Sequence, residues 1–497
     1  MIKKIHIILI FLIVLFSIIR IKTIKEKTFP YTYDQGRDFL KVEEVVRYKN
    51  PTFIGPTTGL PGVYHGAWWY YFLAIPYILT NGNPIAFPYW LFLSQLLSFL
   101  LFFYFLNKNF SSVESIIFLS FIAFSPYFIS MSTFVINSVL TFPFILLFVY
   151  SIYNLFATNK SKFYFLIFLS VGFVWEAEFA FGIFLLPATI IMLILFGRLK
   201  DVFLNKKNLI LSALGLIIPL SLRLAFEIKN NFIQTKTFIN FIINPKLHNP
   251  RPLLDSAIER ITQFSNYYTS IFPDFLNSIT SIFFLTIITS AFIITLRKKS
   301  KNIETKIFYA NNLIIFLLFA LSVFYRDNFW ANYYEGIQLF FIISIILAIN
   351  IIGKTKTKTG YIIIKTGLIL ILTTGLISSY NVIKNPSKPQ GFFVQDTIVN
   401  KIYNENKGKE FCVKIYTPPV IPYTWDYLFK YYSRKLNTPE PKSNFVNNTC
   451  YFIIEDEAKG YEFRITEWRQ NNIPKNSKVI NKEYQYGVTI EFIENKN

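Results

Sequence analysis

Long apolar stretches recur along the first 380 residues and are separated by short polar segments. A helix needs about 20 apolar residues to cross roughly 30 Å of hydrocarbon, and about eleven stretches approach or reach this length. In chain order they are residues 5–19, 84–106, 113–131, 138–156, 163–175, 179–196, 209–226, 279–296, 308–324, 337–352 and 361–379. The pattern therefore predicts an α-helical polytopic membrane protein of about 11 transmembrane helices.

Two apolar stretches need a separate interpretation. Residues 5–19 are followed by Arg20 and Lys22 without a small-residue cleavage site, which favours a retained transmembrane helix over a signal peptide. Residues 68–79 are short and contain Pro76, which predicts a helix that lies in the membrane interface. The chain between these two helices therefore stays on one side of the membrane.

Short basic loops connect alternate pairs of the predicted membrane helices. These loops are residues 107–112, 157–162, 197–208, 297–306 and 353–360, and each carries Lys or Arg with few acids. Because cytoplasmic loops are enriched in Lys and Arg, the pattern predicts a multi-pass cell-membrane protein with a cytoplasmic N-terminus. The predicted outside segments are then residues 20–84, 175–179, 227–277, 325–336 and the region from 381 onward.

The composition supports a membrane location and gives no reason to expect nucleic acid. Fifty Lys and Arg against 29 Asp and Glu give a net charge of +21, yet only 16% of residues are charged and 53% are hydrophobic. Soluble proteins carry about 25% charged residues. Much of the surplus charge falls in the five basic loops, so it is a topology signal rather than a nucleic-acid surface.

The inventory of metal-binding and nucleotide-binding motifs is short. Two Cys and three His exclude Cys/His zinc modules and Cys₄ clusters. The sequence contains neither a P-loop nor a G-x-G-x-x-G loop. We therefore predict no cofactor, although the available carboxylates leave a divalent metal open.

The composition changes after residue 380, where polar residues rise and apolar runs shorten. Residues 410–416, 450–454 and 484–493 have the pattern of strands, and residues 424–434 have helical spacing. A small extracytoplasmic α/β domain over residues 381–497 follows from this pattern.

The only two cysteines, Cys412 and Cys450, lie on two of these predicted strands. A disulfide is chemically allowed outside the membrane. Two buried free thiols are the favoured interpretation, because a sequence does not show the Cα separation that a bridge requires.

A cluster of charged residues opens the first outside segment. Residues 31–38 read Tyr-Thr-Tyr-Asp-Gln-Gly-Arg-Asp, so a helix places Asp34 and Asp38 on one face with Arg37 between them. A carboxylate here can accept a proton from a substrate hydroxyl, and an adjacent cation can hold a phosphate. The other interpretation is a helix start, with Asp34 as the N-cap and the remaining charges solvated.

The same segment continues into a turn-rich stretch that precedes an aromatic helix. Residues 55–71 contain Pro61, Tyr64 and His65 and end in Trp-Trp-Tyr-Tyr. His65 is the only histidine of this outside segment. It is either an interfacial residue or a donor to a lipid phosphate or a sugar.

These two motifs resemble those of the GT-C superfamily of membrane glycosyltransferases, most closely its protein O-mannosyltransferase and aminoarabinose-transferase branch. In that branch an outside loop follows the first membrane helix, opens with an acidic motif and ends in an interfacial helix. Asp34 stands where the family has its catalytic aspartate, whereas Gln35 stands where many members have a second acid. Pro61 to His65 corresponds loosely to the family's His-Pro-Pro turn, with the order changed.

The resemblance covers residues 1–380 by architecture and only residues 31–38 and 59–71 by motif. It implies a glycosyltransferase domain over residues 1–380 with a catalytic loop at residues 22–83. In this domain Asp34 would remove the proton of an acceptor hydroxyl that attacks a polyprenyl-phosphate-linked sugar, with inversion of the anomeric centre. The acceptor would be a lipid, a polysaccharide or a protein. The implied donor and phosphate ligands are Arg37, Asp38, His65 and Arg326.

Other outside helix ends supply further candidates for donor or acceptor contacts. Charged residues at membrane depth usually face a cavity or a partner. The candidates are Glu176, Glu178, Tyr64 and Tyr333. A solvated hairpin tip is the competing interpretation for the two glutamates, and Arg223 and Glu227 are expected to pair with each other at their four-residue spacing.

Two other functions compete with a glycosyltransferase. A transporter or flippase for a lipid-linked or polar solute would place ionisable residues near the bilayer midplane. A non-catalytic envelope scaffold would use its C-terminal domain to bind a partner. The ionisable residues of this chain cluster at predicted outer helix ends, which favours the glycosyltransferase.

Overall fold

The computed structural model describes residues 2–245, 249–299, 302–385, 388–418 and 421–496. Its helices are α1 (Ile2–Lys25), α2 (Tyr33–Arg47), α3 (Trp68–Thr80), α4 (Ala86–Asn109), α5 (Ser112–Phe124), α6 (Pro126–Met131), α7 (Thr141–Thr158), α8 (Lys162–Ala177), α9 (Phe179–Leu195), α10 (Leu199–Leu204), α11 (Lys206–Lys229), α12 (Ile233–Ile243), α13 (Leu253–Thr269), α14 (Asn277–Lys298), α15 (Ile303–Val323), α16 (Ile337–Gly353), α17 (Lys358–Lys384), α18 (Phe392–Asn406), α19 (Tyr423–Leu436) and α20 (Phe463–Asn472). Its strands are β1 (Ile54–Thr57), β2 (Tyr64–Gly66), β3 (Val413–Tyr416), β4 (Thr449–Glu455), β5 (Ser477–Gln485) and β6 (Val488–Asn495).

The protein is a multi-pass membrane protein built from apolar helices. Within the described ranges, 7 helices are long and apolar enough to cross a membrane. They are α1, α4, the stretch Asn137–Thr158 that ends with α7, α11, α14, α15 and α17. Helices α5, α9 and α16 are apolar but shorter. All the predicted membrane stretches are therefore helical, while fewer than the expected eleven have full spanning length.

One predicted crossing is divided into two helices. The stretch 113–131 forms α5 and α6, because Ser125 is extended and Pro126 starts the second helix. Proline suits the first turn of a helix, where its missing N–H is not needed. The break turns α6 away from α5 and brings Tyr127 into the wall of a cavity.

Helix α16 forms the centre of the bundle. Its residues from Ile337 to Ile352 are all buried except Phe341, which is partly buried, as expected for a helix that is apolar on every side. Hydrogen bonds from polar side chains hold α15 against α16. Asn311 on α15 donates to the Phe340 carbonyl at 2.9 Å and to Ser344 Oγ at 2.8 Å. Such interhelical hydrogen bonds are common where lipid supplies no hydrophobic drive for helix association.

Polar contacts join four of the five basic segments in two pairs. Arg198 Nη1 donates to Asn159 Oδ1 at 2.9 Å, which joins the loops after α7 and α9. Lys354 Nζ lies 2.5 Å from Glu304 Oε1, which joins the loops before α15 and after α16. In the predicted loop 297–306, residues 300 and 301 lie outside the described residues.

The C-terminal domain is a four-stranded sheet with helices α18, α19 and α20. The strand order is β3-β4-β6-β5, with β3 parallel to β4 and the other pairs antiparallel. The predicted single strand 484–493 is wrong, because Tyr486 and Gly487 have positive φ values of 52° and 83°. These two residues form the turn between β5 and β6, as expected for a tight hairpin.

The two cysteines form a disulfide. The parallel register pairs Val413 with Tyr451, so Cys412 and Cys450 lie side by side with their Cα atoms 4.5 Å apart. The favoured interpretation of two free thiols is therefore wrong. The cause is the pairing of β3 with β4, which spacing along the sequence does not reveal.

Candidate active site

The charged motif of residues 31–38 forms the first turn of α2. Thr32 is the N-cap, and Gln35 Oε1 accepts from the Thr32 backbone N at 2.7 Å. The Gln35 Nε2 donates to the Val135 carbonyl at 3.1 Å, which ties the helix start to the bundle. The N-cap interpretation of Asp34 is therefore wrong, and its carboxylate is available for other contacts.

An ionic network fixes the acidic face of α2. Arg37 Nη1 lies 2.9 Å from Asp34 Oδ1, and its Nη2 lies 2.8 Å from Asp38 Oδ1. Asp38 Oδ2 also accepts from Trp69 Nε1 of α3 at 2.7 Å. Asp34 keeps 54% of its side chain exposed, whereas Asp38 is buried with 1% exposed. Burial raises the pKa of Asp38 to about 6, although Arg37 acts in the opposite direction.

Asp34 lies in the wall of a cavity of about 770 Å³. Residues from α2, β1, β2, α6, α13 and the loops before α9 and α16 surround this space. Five of the residues singled out in the sequence line it, namely Asp34, Arg37, His65, Glu178 and Tyr333. The lining residues Glu178 and Glu335 precede α9 and α16, whereas basic loops follow the other ends of these two helices, so the cavity lies at the end of the bundle opposite the basic loops.

His65 is a neutral side chain at the cavity wall. Its Nδ1 accepts from the Phe179 backbone N at 3.3 Å, so the ring proton resides on Nε2. Burial, with a smaller contribution from the positive charges of Arg223 and Arg37, lowers its pKa to about 3. The imidazole therefore acts as a hydrogen-bond donor through Nε2 at neutral pH.

A buried ion pair supports β2 from behind. Arg223 Nε lies 2.7 Å from Glu176 Oε1, and Arg223 Nη1 donates to the Tyr64 carbonyl at 2.8 Å. A Cβ on Gly66 would come within 2.0 Å of Glu176 Oε2, so a glycine is needed where the carboxylate packs on the strand. This pair holds the backbone on both sides of His65.

The expected pair of Arg223 with Glu227 is wrong. Glu227 accepts instead from the backbone N of Gln234 at 3.0 Å and of Thr235 at 2.9 Å, at the start of α12. Helix N-termini attract carboxylates through their free N–H groups. Arg223 thereby remains available for Glu176 on the neighbouring helix α8.

Two buried glutamates face the cavity opposite Asp34. Burial raises the pKa of Glu178 well above its ordinary value, and the nearby Glu335 adds to this rise. Burial also raises the pKa of Glu335 to about 7, while a hydrogen bond from the Tyr127 hydroxyl opposes the rise. Both side chains can therefore hold a proton near neutral pH and donate it to an oxygen in the cavity.

An apolar groove of about 410 Å³ adjoins the polar cavity. Thr58, Gly59, Glu178 and Tyr333 line both spaces. The groove is otherwise lined mainly by apolar side chains of α9, α12 and α15, with Arg326 among them. Arg326 is exposed, and its Nε donates to the Arg251 carbonyl at 2.7 Å.

Three predicted site residues lie outside the linings of these two spaces. Asp38 is buried behind Arg37, Glu176 pairs with Arg223, and Tyr64 packs its ring near Phe226 with centroids 6.5 Å apart. The two glutamates differ because Glu176 lies in the last turn of α8, whereas Glu178 follows the helix in extended conformation. Glu176 and Glu178 consequently point to different surroundings.

Several cavity residues had not been selected from the sequence. They include Tyr33, Tyr127, Asn137, Asn266, Tyr267, Trp330 and Glu335. The sequence signal for Glu335 is its position immediately before the apolar helix α16, because ionisable residues at such positions usually face a cavity. Over the described residues, no group of three His, Cys, Asp or Glu side chains is arranged to hold a metal ion.

The membrane bundle, the first outside loop and the C-terminal sheet domain together have a fold similar to that of a solved membrane protein, ArnT. The solved structure of ArnT from Cupriavidus metallidurans bound to undecaprenyl phosphate superposes with a TM-score of 0.58 and 9% sequence identity. The superposition covers 97% of this chain and 97% of that chain. The apo state of the same ArnT gives a TM-score of 0.52 at 9% identity, over 93% of this chain and 94% of that chain.

One further solved structure has a weaker similarity, and two other comparisons found no match. An oligosaccharyltransferase of Archaeoglobus fulgidus, solved in complex with zinc and sulfate, gives a TM-score of 0.46 at 11% identity. That match covers 96% of this chain and 72% of the other. No protein-family model matches the chain, and no curated protein matches it in sequence.

Proposed function

We propose that the protein is a glycosyltransferase that moves a sugar from a polyprenyl-phosphate donor to an acceptor hydroxyl. The observation that carries this proposal is the junction of a polar cavity with an apolar groove along Thr58, Gly59, Glu178 and Tyr333. A polyprenyl-phosphate sugar has the same two parts, a polar head and an apolar chain. Its head occupies the cavity, its chain lies in the groove, and no resident cofactor takes part.

The reaction is a single displacement at the anomeric carbon. The acceptor oxygen forms a bond to this carbon while Asp34 takes the hydroxyl proton, and the bond to the phosphate oxygen breaks with its electron pair on the phosphate. Attack from the face opposite the leaving group inverts the anomeric centre. The bridge from Arg37 to Asp34 at 2.9 Å orients the carboxylate for this step.

Cations and donors around the two spaces stabilise the departing phosphate. Arg37 and the Nε2 proton of His65 act from the cavity, and Arg326 acts from the groove. A planar guanidinium suits phosphate because it can donate two parallel hydrogen bonds. Glu178 and Tyr333, at the junction, contact the sugar or the acceptor.

The predicted residues outside both spaces have supporting roles. Asp38 holds Arg37 against α3, and Glu176 holds Arg223 against the backbone of Tyr64. The site faces the outside of the cell membrane, because it lies at the bundle end opposite the basic loops. The acceptor is a lipid, a polysaccharide or a protein that reaches the cavity from that side.

The test compares Asp34→Asn with the wild type in a purified transfer assay with a labelled polyprenyl-phosphate sugar. We expect a rate loss of roughly 10²-fold to 10⁴-fold, the usual contribution of a general base. Asp201→Asn is the matched control, because Asp201 pairs with Arg198 at the opposite end of the bundle. Full transfer by folded Asp34→Asn would refute the base assignment.

A second arm tests the groove and the transporter alternative. Ile183→Trp fills the apolar groove, so we expect a higher KM for the lipid donor with little change in kcat. A flippase would instead move the lipid-linked sugar across vesicle membranes without transferring it. Translocation without any transfer product in the wild type would contradict the proposed function.

A further inference from the structure

The C-terminal domain makes backbone contact with the helix that carries Asp34. A Cβ built on Gly36 of α2 would lie 2.3 Å from the Thr424 nitrogen and 2.6 Å from its Cα. Any side chain at Gly36 would therefore force α2 and α19 apart. The Tyr31 hydroxyl closes the same junction by donating to the Thr424 carbonyl at 3.1 Å.

Contacts on both sides of Gly36 extend this junction along α2. The rings of Tyr33 and Tyr423 have centroids 4.9 Å apart, and Tyr33 itself lines the catalytic cavity. At the other end of α2, the buried Glu43 carboxylate pairs with Arg434 of α19. Helix α19 therefore contacts α2 along most of its length.

The chain that leads into α2 is held by the same domain. Lys27 Nζ lies 2.6 Å from Asp396 Oδ2 of α18, and the rings of Phe29 and Phe392 stack with centroids 4.9 Å apart. The Tyr427 hydroxyl donates to the Gly82 carbonyl beyond α3 at 2.7 Å. The C-terminal domain thus contacts the segment that carries Asp34 at three places, which are before α2, on α2 and after α3.

These contacts bear on Asp34 because α2 has only 15 residues and carries Asp34 in its first turn. Asp34 is half exposed, and Arg37 is its ion-pair partner on the same helix. The direction of the Asp34 carboxylate therefore depends on the position of α2. Helix α3 holds one side through Asp38 and Trp69, and α19 holds another through Gly36.

We propose that α19 is a positioning element for the transfer reaction, and that it seats Asp34 through the contact between Gly36 and Thr424. The proposal rests on the proposed function, because it assumes that Asp34 acts as the base. The C-terminal domain then controls the chemical step rather than donor binding. Misplacement of a reacting group by about 1 Å can cost roughly 10²-fold in rate.

The first test is Gly36→Ala in the full-length protein. Alanine is a better helix former than glycine, so the substitution does not weaken α2 itself. We expect kcat to fall at least tenfold while the KM for the lipid donor stays within twofold. Gly353→Ala is the matched control, because its Cβ would meet only the flexible end of Ile364 at 3.1 Å. Unchanged kcat in folded Gly36→Ala would overturn the proposal.

A combined variant separates positioning from a general structural effect. If α19 acts through Asp34, Gly36→Ala should cause little further loss in an Asp34→Asn background, since residues that act as a unit are not additive. An equal loss in both backgrounds would place the effect elsewhere and overturn the proposal. Full activity of Asp34→Asn alone would instead refute the proposed function.

A milder variant keeps the proposal testable if Gly36→Ala does not fold. Tyr423→Ala removes the ring that packs on Tyr33, whereas Tyr423→Phe retains it. We expect kcat to fall severalfold in the alanine variant and to recover in the phenylalanine variant. Equal kcat values for wild type and folded Tyr423→Ala would contradict a positioning role for α19.

Discussion

The pair of Arg223 with Glu176 provides a quantitative test of how the cavity wall is supported. The side-chain atoms lie 2.7 Å apart, with 9% of Arg223 and 2% of Glu176 exposed. For unit charges about 4 Å apart, an effective dielectric constant of about 20 corresponds to an attraction of about 4 kcal/mol. Removing one partner of a buried pair typically costs about 3–5 kcal/mol, because the other charge stays buried and unpaired.

The perturbation is a double-mutant cycle of Glu176→Leu and Arg223→Met. Each single variant should lower the free energy of unfolding by about 3–5 kcal/mol. The double variant removes both charges and leaves the Tyr64 carbonyl and Gln234 Oε1 without Arg223, which costs about 1 kcal/mol for each lost hydrogen bond. The single losses sum to about 6–10 kcal/mol, whereas the double variant should lose only about 2 kcal/mol, so we expect a coupling of at least about 4 kcal/mol.

The assay is unfolding in mixed detergent micelles, followed by tryptophan fluorescence and repeated for all four proteins of the cycle. Transfer activity is measured on the same samples, because Arg223 also holds the backbone next to His65. Asp201→Asn serves as a stability control at the other end of the bundle. Additive losses within about 0.5 kcal/mol would show that the two residues act independently and would refute this reasoning.

Three further predictions concern neighbouring features. The pKa of Asp38 is about 6 in the folded protein, against an ordinary value of 3.8. Between these two pH values the folded protein therefore binds a proton at Asp38 that the unfolded chain has released. The free energy of unfolding should therefore fall as pH rises from about 4 to about 6, and Asp38→Asn should abolish that part of the slope in thermal unfolding. Gln35→Glu places a carboxylate against the Val135 carbonyl and should cost about 2 kcal/mol in unfolding free energy without raising the transfer rate; a more stable or faster variant would contradict it. Replacing Cys412 and Cys450 by Ala opens a bridge of sequence separation 38 and should cost about 4 kcal/mol in the C-terminal domain, and thiol labelling of the unreduced wild type would contradict the bridge.

The role of Gln35 illustrates how a departure from a family pattern is explained by structure. The sequence shows a glutamine where many members of the resembled branch have an acid. In the fold, its amide caps α2 through Thr32 and binds the Val135 carbonyl. An amide can donate and accept at once, which a carboxylate cannot. Gln35 therefore helps to position Asp34 and does not act in the cavity.

The cavity residues show a different limit of sequence reasoning. Asp34 and His65 were selected because they stand in motifs with recognisable neighbours. Glu335 is not among the predicted site residues, although it lies in the same outside segment, residues 325–336, as Arg326 and Tyr333. Its contact with Tyr127 joins segments more than 200 residues apart, so no local pattern distinguishes it.

Local physics determined much of this protein from its sequence alone. Hydrophobic length specified the membrane helices, basic loops indicated a common end, and the change of composition after residue 380 indicated a separate sheet domain. The tertiary structure decided which acids face the cavity, which partner Arg223 takes, and that Cys412 meets Cys450. It also placed α19 against Gly36. The reason is physical: periodicity and composition act within one element, whereas these contacts depend on how distant elements pack against each other.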